Sequence, residues 1–467
     1  MSMAGEANLN SVAGDSLSGL LANHVAGLRT SDLPPEVVQA FRRVLVDYLA
    51  CALAGTGMPV TRALTRWAEA QGARPVATPI GSRTGMSESE AAFVNGAAAH
   101  ALDFDDGQTR GSVHPGGVVL SAAFAAAEAG KADMSRFIAA VVAGYDVTLR
   151  VASAIHPASA GLGWHNTPVA GVFGAAAVAS RMRGLDARTT RHALGLAASF
   201  AGGLRQYLHD GAEVKRLHPG KAARDGIVCA GLAAEGITGA VECLEGRHGL
   251  FHATVEGRAD PTQITDRLGQ WHPITSAYFK PYPCCRHYHA AIDAVLELRR
   301  DHALSSGDVV GVDVGLYEVG ARGHDHVSAS NLLEVQMSAP CAMAAALIHG
   351  QIGVAELDPA AFAAPEPQRL LAATRVFVDP ECESAYPGRR SGVVTLVLND
   401  GRRLTRRVLD PRGEGDNPMS DDDLSGKFLA NAGPVLGAAR AESALAALWA
   451  AGPCGDLPAL RALLVPA

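Results

Sequence analysis

Between residues 117 and 240 the chain offers little besides helix-forming periods. Segments 118–129, 134–155, 168–183, 187–202 and 222–236 space alanine, glycine and aliphatic residues at helical intervals, with a Gly, Pro or polar break between them. That texture belongs to a multi-helix domain and not to a chain alternating strand with helix. Only 5% of the 467 residues are aromatic although 48% are hydrophobic, so many small side chains must pack helices closely. Helical periods also cover 16–28, 37–55 and 88–101. Ser31-Asp32-Leu33-Pro34-Pro35-Glu36 reads as a helix start with Asp32 as its cap, and residues 1–15 read as a loose leader.

After about residue 273 the pattern changes. Segment 309–317 (VVGVDVGLY) alternates and is β-branched, as a strand requires, and 375–378 and 393–398 are similar. Asn399-Asp400-Gly401 is a strong hairpin turn into 402–409, and helical periods at 290–300 and 338–349 lie between the strands. Helical pattern returns at 422–430, 438–448 and 457–464. The expected fold is therefore mainly α. Residues 1–272 and 411–467 form one large all-helical domain, and 273–410 form a smaller α+β lid domain inserted into it.

A net charge of −7 without a broad basic region argues against nucleic-acid binding. No apolar run reaches the roughly 18–20 uncharged residues of a membrane span, and the N-terminus lacks the basic and apolar regions of a signal peptide. Eight scattered cysteines read as reduced thiols. The expected location is the cytoplasm.

Four stretches could carry chemistry. Residues 95–117 (NGAAAHALDFDDGQTRGSVHPGG) run from an alanine-rich helix into Asp103, Asp105 and Asp106, then to His114-Pro115-Gly116-Gly117. Such a loop either presents acid/base groups or is a solvated helix cap with a turn behind it. Gly161-Leu162-Gly163-Trp164-His165-Asn166-Thr167-Pro168 places His165 in a glycine-rich turn before a helix, either facing an anion or simply capping. Around His218-Pro219-Gly220, Lys215, Arg216, Lys221 and Arg224 gather ahead of a helix. Lys221 and Arg224 then fall in a first turn, against the helix dipole, which calls for a substrate carboxylate or a protein acid nearby. The alternative is a solvated basic face. Last comes Lys280-Pro281-Tyr282-Pro283-Cys284-Cys285-Arg286-His287-Tyr288-His289. Its cysteines and histidines are metal ligands by type, but neighbouring cysteines do not reach one zinc easily, so no metal site is expected.

There is no G-x-G-x-x-G after a strand, no G-x-x-x-x-G-K-[ST], no H-E-x-x-H and no G-x-S-x-G. Acid/base chemistry without a cofactor fits that inventory better than redox, kinase or serine-hydrolase chemistry.

Taken in order, these motifs resemble the MmgE/PrpD family of 2-methylcitrate dehydratases, cis-aconitate decarboxylases and an iminodisuccinate epimerase. The carriers are Asn95-Gly96 with His100 to Asp106 and His114-Pro115-Gly116; Lys215 with His218-Pro219-Gly220 and Ala222-Ala223-Arg224; Lys280 to Arg286; and Gly415-Asp416-Asn417-Pro418 with Lys427-Phe428. The resemblance implies a homodimer, no cofactor, and an active site between a helical domain and a smaller lid. By position, the decarboxylase branch's active-site residues fall on Asp103, His114, His165, Lys215 and Lys280. That branch has a threonine where this chain has Gly107, and a histidine where it has Cys285.

The implied substrate is a small di- or tricarboxylate that loses or gains a proton beside a carboxylate. Lys215, Lys280 and Arg286 would clamp the developing negative charge, and His114 or His165 would move the proton, with Asp103 orienting a partner. His218, Lys221, Cys285 and His287 would complete the binding wall. The leading expectation is a dehydratase-type lyase like 2-methylcitrate dehydratase. The alternatives are an epimerase or decarboxylase of iminodisuccinate or cis-aconitate type, or a non-catalytic carboxylate-binding relative.

Overall fold

The computed structural model describes residues 16–466, so the leader expected at 1–15 lies outside the described residues. Helices of seven or more residues are numbered here in chain order. The first nine are α1 Leu17–Gly27, α2 Pro35–Gly55, α3 Pro59–Ala70, α4 Glu88–His100, α5 Gly116–Gly130, α6 Met134–Ile155, α7 Asn166–Arg183, α8 Ala187–Phe200 and α9 Val214–Ala234. They are followed by α10 His289–Asp301, α11 Ala339–His349, α12 Pro365–Ala373, α13 Asp421–Leu436, α14 Ala438–Trp449 and α15 Leu457–Leu463. The fold is mainly α with a smaller α+β part.

Local chemistry explains most of the helix starts. Side chains of Ser16, Ser87, Asp133 and Asp186 accept the backbone N–H three residues on, each satisfying a donor the helix leaves open. The expected Asp32 cap is a correction. Asp32 ends a short 3₁₀ turn and pairs with Arg29 at 2.8 Å, while α2 starts at Pro35 without a side-chain cap. Proline at the first position needs no N–H partner there. A second correction concerns α9, which starts at Val214 and runs through Pro219-Gly220 instead of beginning after them. Proline removes only one intrahelical donor, and tertiary packing of the whole helix outweighs that loss.

Two main cores divide the described residues. The larger one draws on α1 to α9 and, from the far end, on Met419, Leu424, Phe428 and α14 and α15. α13 lies on α2, so early and late segments of the described residues share the larger core. The smaller core runs from Tyr282 to Leu398, with α10 and α11 packed beside a four-stranded sheet. Its strands are β1 Val309–Leu316, β2 Thr374–Val378, β3 Gly392–Leu398 and β4 Arg403–Val408, in the order β2-β1-β3-β4. β1 and β2 are parallel, and β3 and β4 form the hairpin expected at Asn399-Asp400-Gly401, with Gly401 at φ +87°. α6 is long and apolar enough to cross a membrane although it carries Arg136, Asp146 and Arg150. It is enclosed by the helical domain, where it serves as a core helix.

Candidate active site

Two glycines set the geometry of the site. A Cβ on Gly96 of α4 would lie 2.4 Å from the Cα of Gly220, and a Cβ on Gly220 would lie 2.1 Å from the Phe93 carbonyl oxygen. Only bare backbone allows α4 and α9 to touch there. α4 leads directly into Asp103, and α9 carries Lys215 in its first turn and His218 one turn further on.

Asp103 adopts the left-handed conformation at φ +50°, uncommon for a residue with a side chain. Lys280 holds it there by donating to its carbonyl oxygen at 2.8 Å and to its Oδ1 at 2.9 Å. Lys215 reaches the same Oδ1 at 2.7 Å, while Oδ2 is buried without a partner. Burial alone would raise the Asp103 pKa, but Lys215 and Lys280 hold it well below the carboxylate range. Burial and Lys280 lower the Lys215 pKa against the pull of Asp103, whereas Asp103 overcomes burial at Lys280 and raises it. Two ammoniums thus face one carboxylate inside the protein.

The other two aspartates of the run are structural. Asp105 binds His100 Nδ1 at 2.8 Å. Asp106 accepts the Gly116 N–H at 2.9 Å and the Tyr145 hydroxyl at 2.7 Å, which ties the loop to the start of α5 and to α6. The same loop orients His114, whose Nδ1 lies 2.8 Å from the Asp106 carbonyl oxygen. A carbonyl only accepts, so Nδ1 carries the hydrogen and Nε2 keeps its lone pair. Burial, assisted by Lys280 and His100, pushes the His114 pKa down to about 3 despite Asp105.

His165 caps α7, and its backbone N–H donates to Gly203 at 3.0 Å while Arg205 N–H donates to Gly163 at 2.9 Å. This short pairing sets the ring against His218, with the two Nδ1 atoms 2.7 Å apart and one proton between them. Burial and the neighbouring histidine lower the His165 pKa well below its usual value, and burial takes His218 down to about 4.

The smaller domain supplies the opposite part of the wall. Cys284 and Cys285 diverge: the Cys284 thiol faces His289 Nε2 at 3.6 Å, and the Cys285 thiol faces His324 Nε2 at 3.2 Å. The four ligand types of that motif therefore do not converge on one point. Among the described residues, ligand atoms do gather in His100–Asp105–His114 and in His24–Asp146–His272.

Asp103, His114, His165, Lys215, Lys280, Cys285, Arg286 and His287 line one small cavity. His218 stands behind His165 instead of on the wall. Lys221 is a correction. It points away, donating to Asp225 at 2.9 Å and to the Phe200 carbonyl at 3.1 Å. Because α9 starts at Val214, Lys221 sits past the first turn, and Asp225 is the acid that its charge required. Arg286 is largely engaged elsewhere, donating to the Arg412 carbonyl at 2.9 Å and lying 3.3 Å from Glu414. Two arginines that sequence reading missed, Arg205 and Arg390, also stand on the cavity wall. Arg205 itself pairs with Gly163 through its backbone N–H, and Arg390 precedes β3; neither lies in a recognisable motif. Tyr278, Tyr207 and His324 were missed for the same reason. Tyr278 also explains Gly107: the two exchange backbone hydrogen bonds, and a Cβ at 107 would lie 2.4 Å from the phenol ring. The tyrosine ring fills the space a threonine would need. Lys427 of the closing signature lies outside the cavity, bonding Asp47 and the carbonyls of Phe104 and Lys280, and so staples two motif loops together.

The profile of the MmgE/PrpD N-terminal domain matches residues 19–263, and that of the MmgE/PrpD C-terminal domain matches residues 282–451. The chain is similar to the cis-aconitate decarboxylase-like protein oryM of Aspergillus oryzae, at 29% identity over 444 residues covering 90% of this chain and 91% of the relative. Against the cis-aconitate decarboxylase of Homo sapiens the identity is 27%, covering 90% and 89% respectively. Against that of Aspergillus terreus it is also 27%, covering 90% of each. These relatives bear decarboxylase names, and none of them is named a 2-methylcitrate dehydratase.

Proposed function

The chain belongs to the MmgE/PrpD family, and from that premise we propose that it is a lyase that decarboxylates a small unsaturated polycarboxylate of cis-aconitate type without a cofactor. The observation that carries the reading is the buried Asp103–Lys215–Lys280 group, with two ammoniums against one carboxylate, beside two neutral histidines. Such a wall attracts an anion and leaves a lone pair next to it. The names of the relatives support decarboxylation over the dehydration that sequence reading ranked first.

When a carboxylate leaves as CO₂ from an arm conjugated through a double bond to a second carboxylate, the bonding electron pair spreads onto that second group. Lys215 and Lys280, with Arg205 and Arg390 on the same wall, lower the energy of that charge. A preorganised donor of this kind is worth roughly 3–4 kcal/mol. The double bond shifts, and a proton returns to the carbon beside the stabilised carboxylate. Asp103 keeps the two lysines in place and spaced.

The test is proton NMR of the purified protein in deuterium oxide with cis-aconitate, 2-methylcitrate, citrate and iminodisuccinate. The expected result is CO₂ release with one deuterium entering beside a carboxylate, and a fall of at least ~100-fold in turnover for Lys215→Ala. Loss of water from 2-methylcitrate without CO₂ would restore the dehydratase reading. Exchange without net loss would mark an epimerase, and no change in any substrate would mark a carboxylate-binding relative.

A further inference from the structure

Decarboxylation consumes a proton, and the two histidines of the helical domain are poorly suited to supply it. His114 commits its one N–H to the Asp106 carbonyl, and burial keeps its other nitrogen unprotonated. His165 shares a proton with His218 and is likewise held neutral by burial. Lys215 and Lys280 both donate to Asp103.

The smaller domain brings a different group to the cavity. Cys285 lies on the wall with its Sγ 3.2 Å from Nε2 of His324, which lines the same cavity. Both backbones are pinned. Cys285 N–H donates to the Gln336 carbonyl at 2.9 Å, and the His324 carbonyl accepts the Ala339 N–H at 2.8 Å at the start of α11. The His324 ring packs edge-on to Tyr288 at 5.8 Å, and its Nδ1 is buried with no partner. That nitrogen is costly to leave bare unless it serves when the ring takes up or passes a proton. Titratable groups acting on the thiol are Asp103 and Lys215 from the helical domain, with Tyr207, Cys284, Tyr288 and Tyr317.

We propose that Cys285 and His324 form a proton-transfer dyad that delivers the proton to the substrate carbon after CO₂ leaves, in the place where the decarboxylase branch has a histidine. The proposal rests on the decarboxylase reading above. The dyad holds one shared proton between sulfur and Nε2. As it passes to carbon, the S–H bond breaks and the electron pair left by CO₂ becomes the new C–H bond. A thiolate beside a neutral imidazole remains, and a proton from water restores the pair.

The surroundings agree. Burial raises the thiols of Cys229 and Cys243 to about 12 and that of Cys341 to about 11. At Cys285, burial also pushes upward, but His324 brings the thiol down to about 7, where acid/base transfer at neutral pH is efficient.

The first measurement is iodoacetamide labelling of the whole enzyme against pH, with peptide mapping. Cys285 should label with a midpoint near 7 and more slowly when tricarballylate fills the cavity; in His324→Gln the midpoint should rise by at least about one pH unit. Cys454, exposed on the surface, is the internal control. The second is turnover. Cys285→Ala should lose ~100-fold in kcat with little change in KM, and Cys285→His should recover most of it. Labelling of Cys285 with the pH dependence of Cys454, or wild-type kcat in Cys285→Ala, would overturn the dyad. A wild-type protein that labels as expected but releases no CO₂ from any polycarboxylate would overturn the parent reading and the donor role together, and leave the Cys285–His324 pairing upheld.

Discussion

At the scale of single residues, the site turns on Asp103. Its carboxylate is the common acceptor of two buried ammoniums, and its left-handed backbone depends on the bond from Lys280 to its carbonyl. Asp103→Asn would leave both cations facing a neutral amide. Breaking a buried pair in this way costs about 3–5 kcal/mol. The expected outcome is a clear drop in thermal midpoint by calorimetry, with turnover falling alongside it. An unchanged midpoint would mean that Lys215 and Lys280 do not need the carboxylate for burial. The family resemblance pointed by position to Asp103, His114, His165, Lys215 and Lys280, and all five line the cavity. Arg205, Arg390 and His324 escaped because each lies in a loop outside the recognised motifs and reaches the cavity through contacts that sequence order does not reveal.

At the scale of elements, α4 and α9 carry the argument. Their contact through Gly96 and Gly220 places the loop after one helix against the first turn of the other. Gly220→Ala drives a methyl against the Phe93 carbonyl and should cost about 1–3 kcal/mol, read as a lower urea midpoint, with reduced turnover as Lys215 moves from Asp103. Gly231→Ala in the same helix meets open space and should instead stabilise by about 0.5–1 kcal/mol. Equal effects at the two positions would remove the close approach as the explanation. The misplaced start of α9 has the same origin. Pro219-Gly220 is a break by local propensity, and the packing that overrides it lies more than a hundred residues away in sequence, at Phe93 and Gly96.

At the scale of the whole molecule, the fold buries His114, His156 and His218 as neutral rings. Burial lowers the pKa of His114 to about 3, and those of His156 and His218 to about 4, from the usual 6.5. Between those values the unfolded chain takes up protons that the folded chain refuses, so stability is full above pH 6.5 and falls as pH drops toward 4. Asp47 and Asp106, whose pKa values burial raises, act in the opposite sense, so the informative quantity is a difference. His218→Asn should show a shallower loss of thermal midpoint between pH 7 and 5 than the wild type. A parallel slope would show that His218 titrates alike in both states.

The sequence by itself determined what depends on neighbours along the chain. Helical period marked most of α1 to α9, alternation marked β1 and β3, and Asn399-Asp400-Gly401 marked the hairpin. The family motifs pointed to the residues whose chemistry is strong enough to stand out in any context. Only the tertiary structure decided that α9 runs through Pro219-Gly220, that Tyr278 fills the space beside Gly107, and that Cys285 meets His324 while Cys284 turns to His289. Period and propensity are local properties, whereas the direction in which a side chain points from a loop is set by the distant surface packed against it.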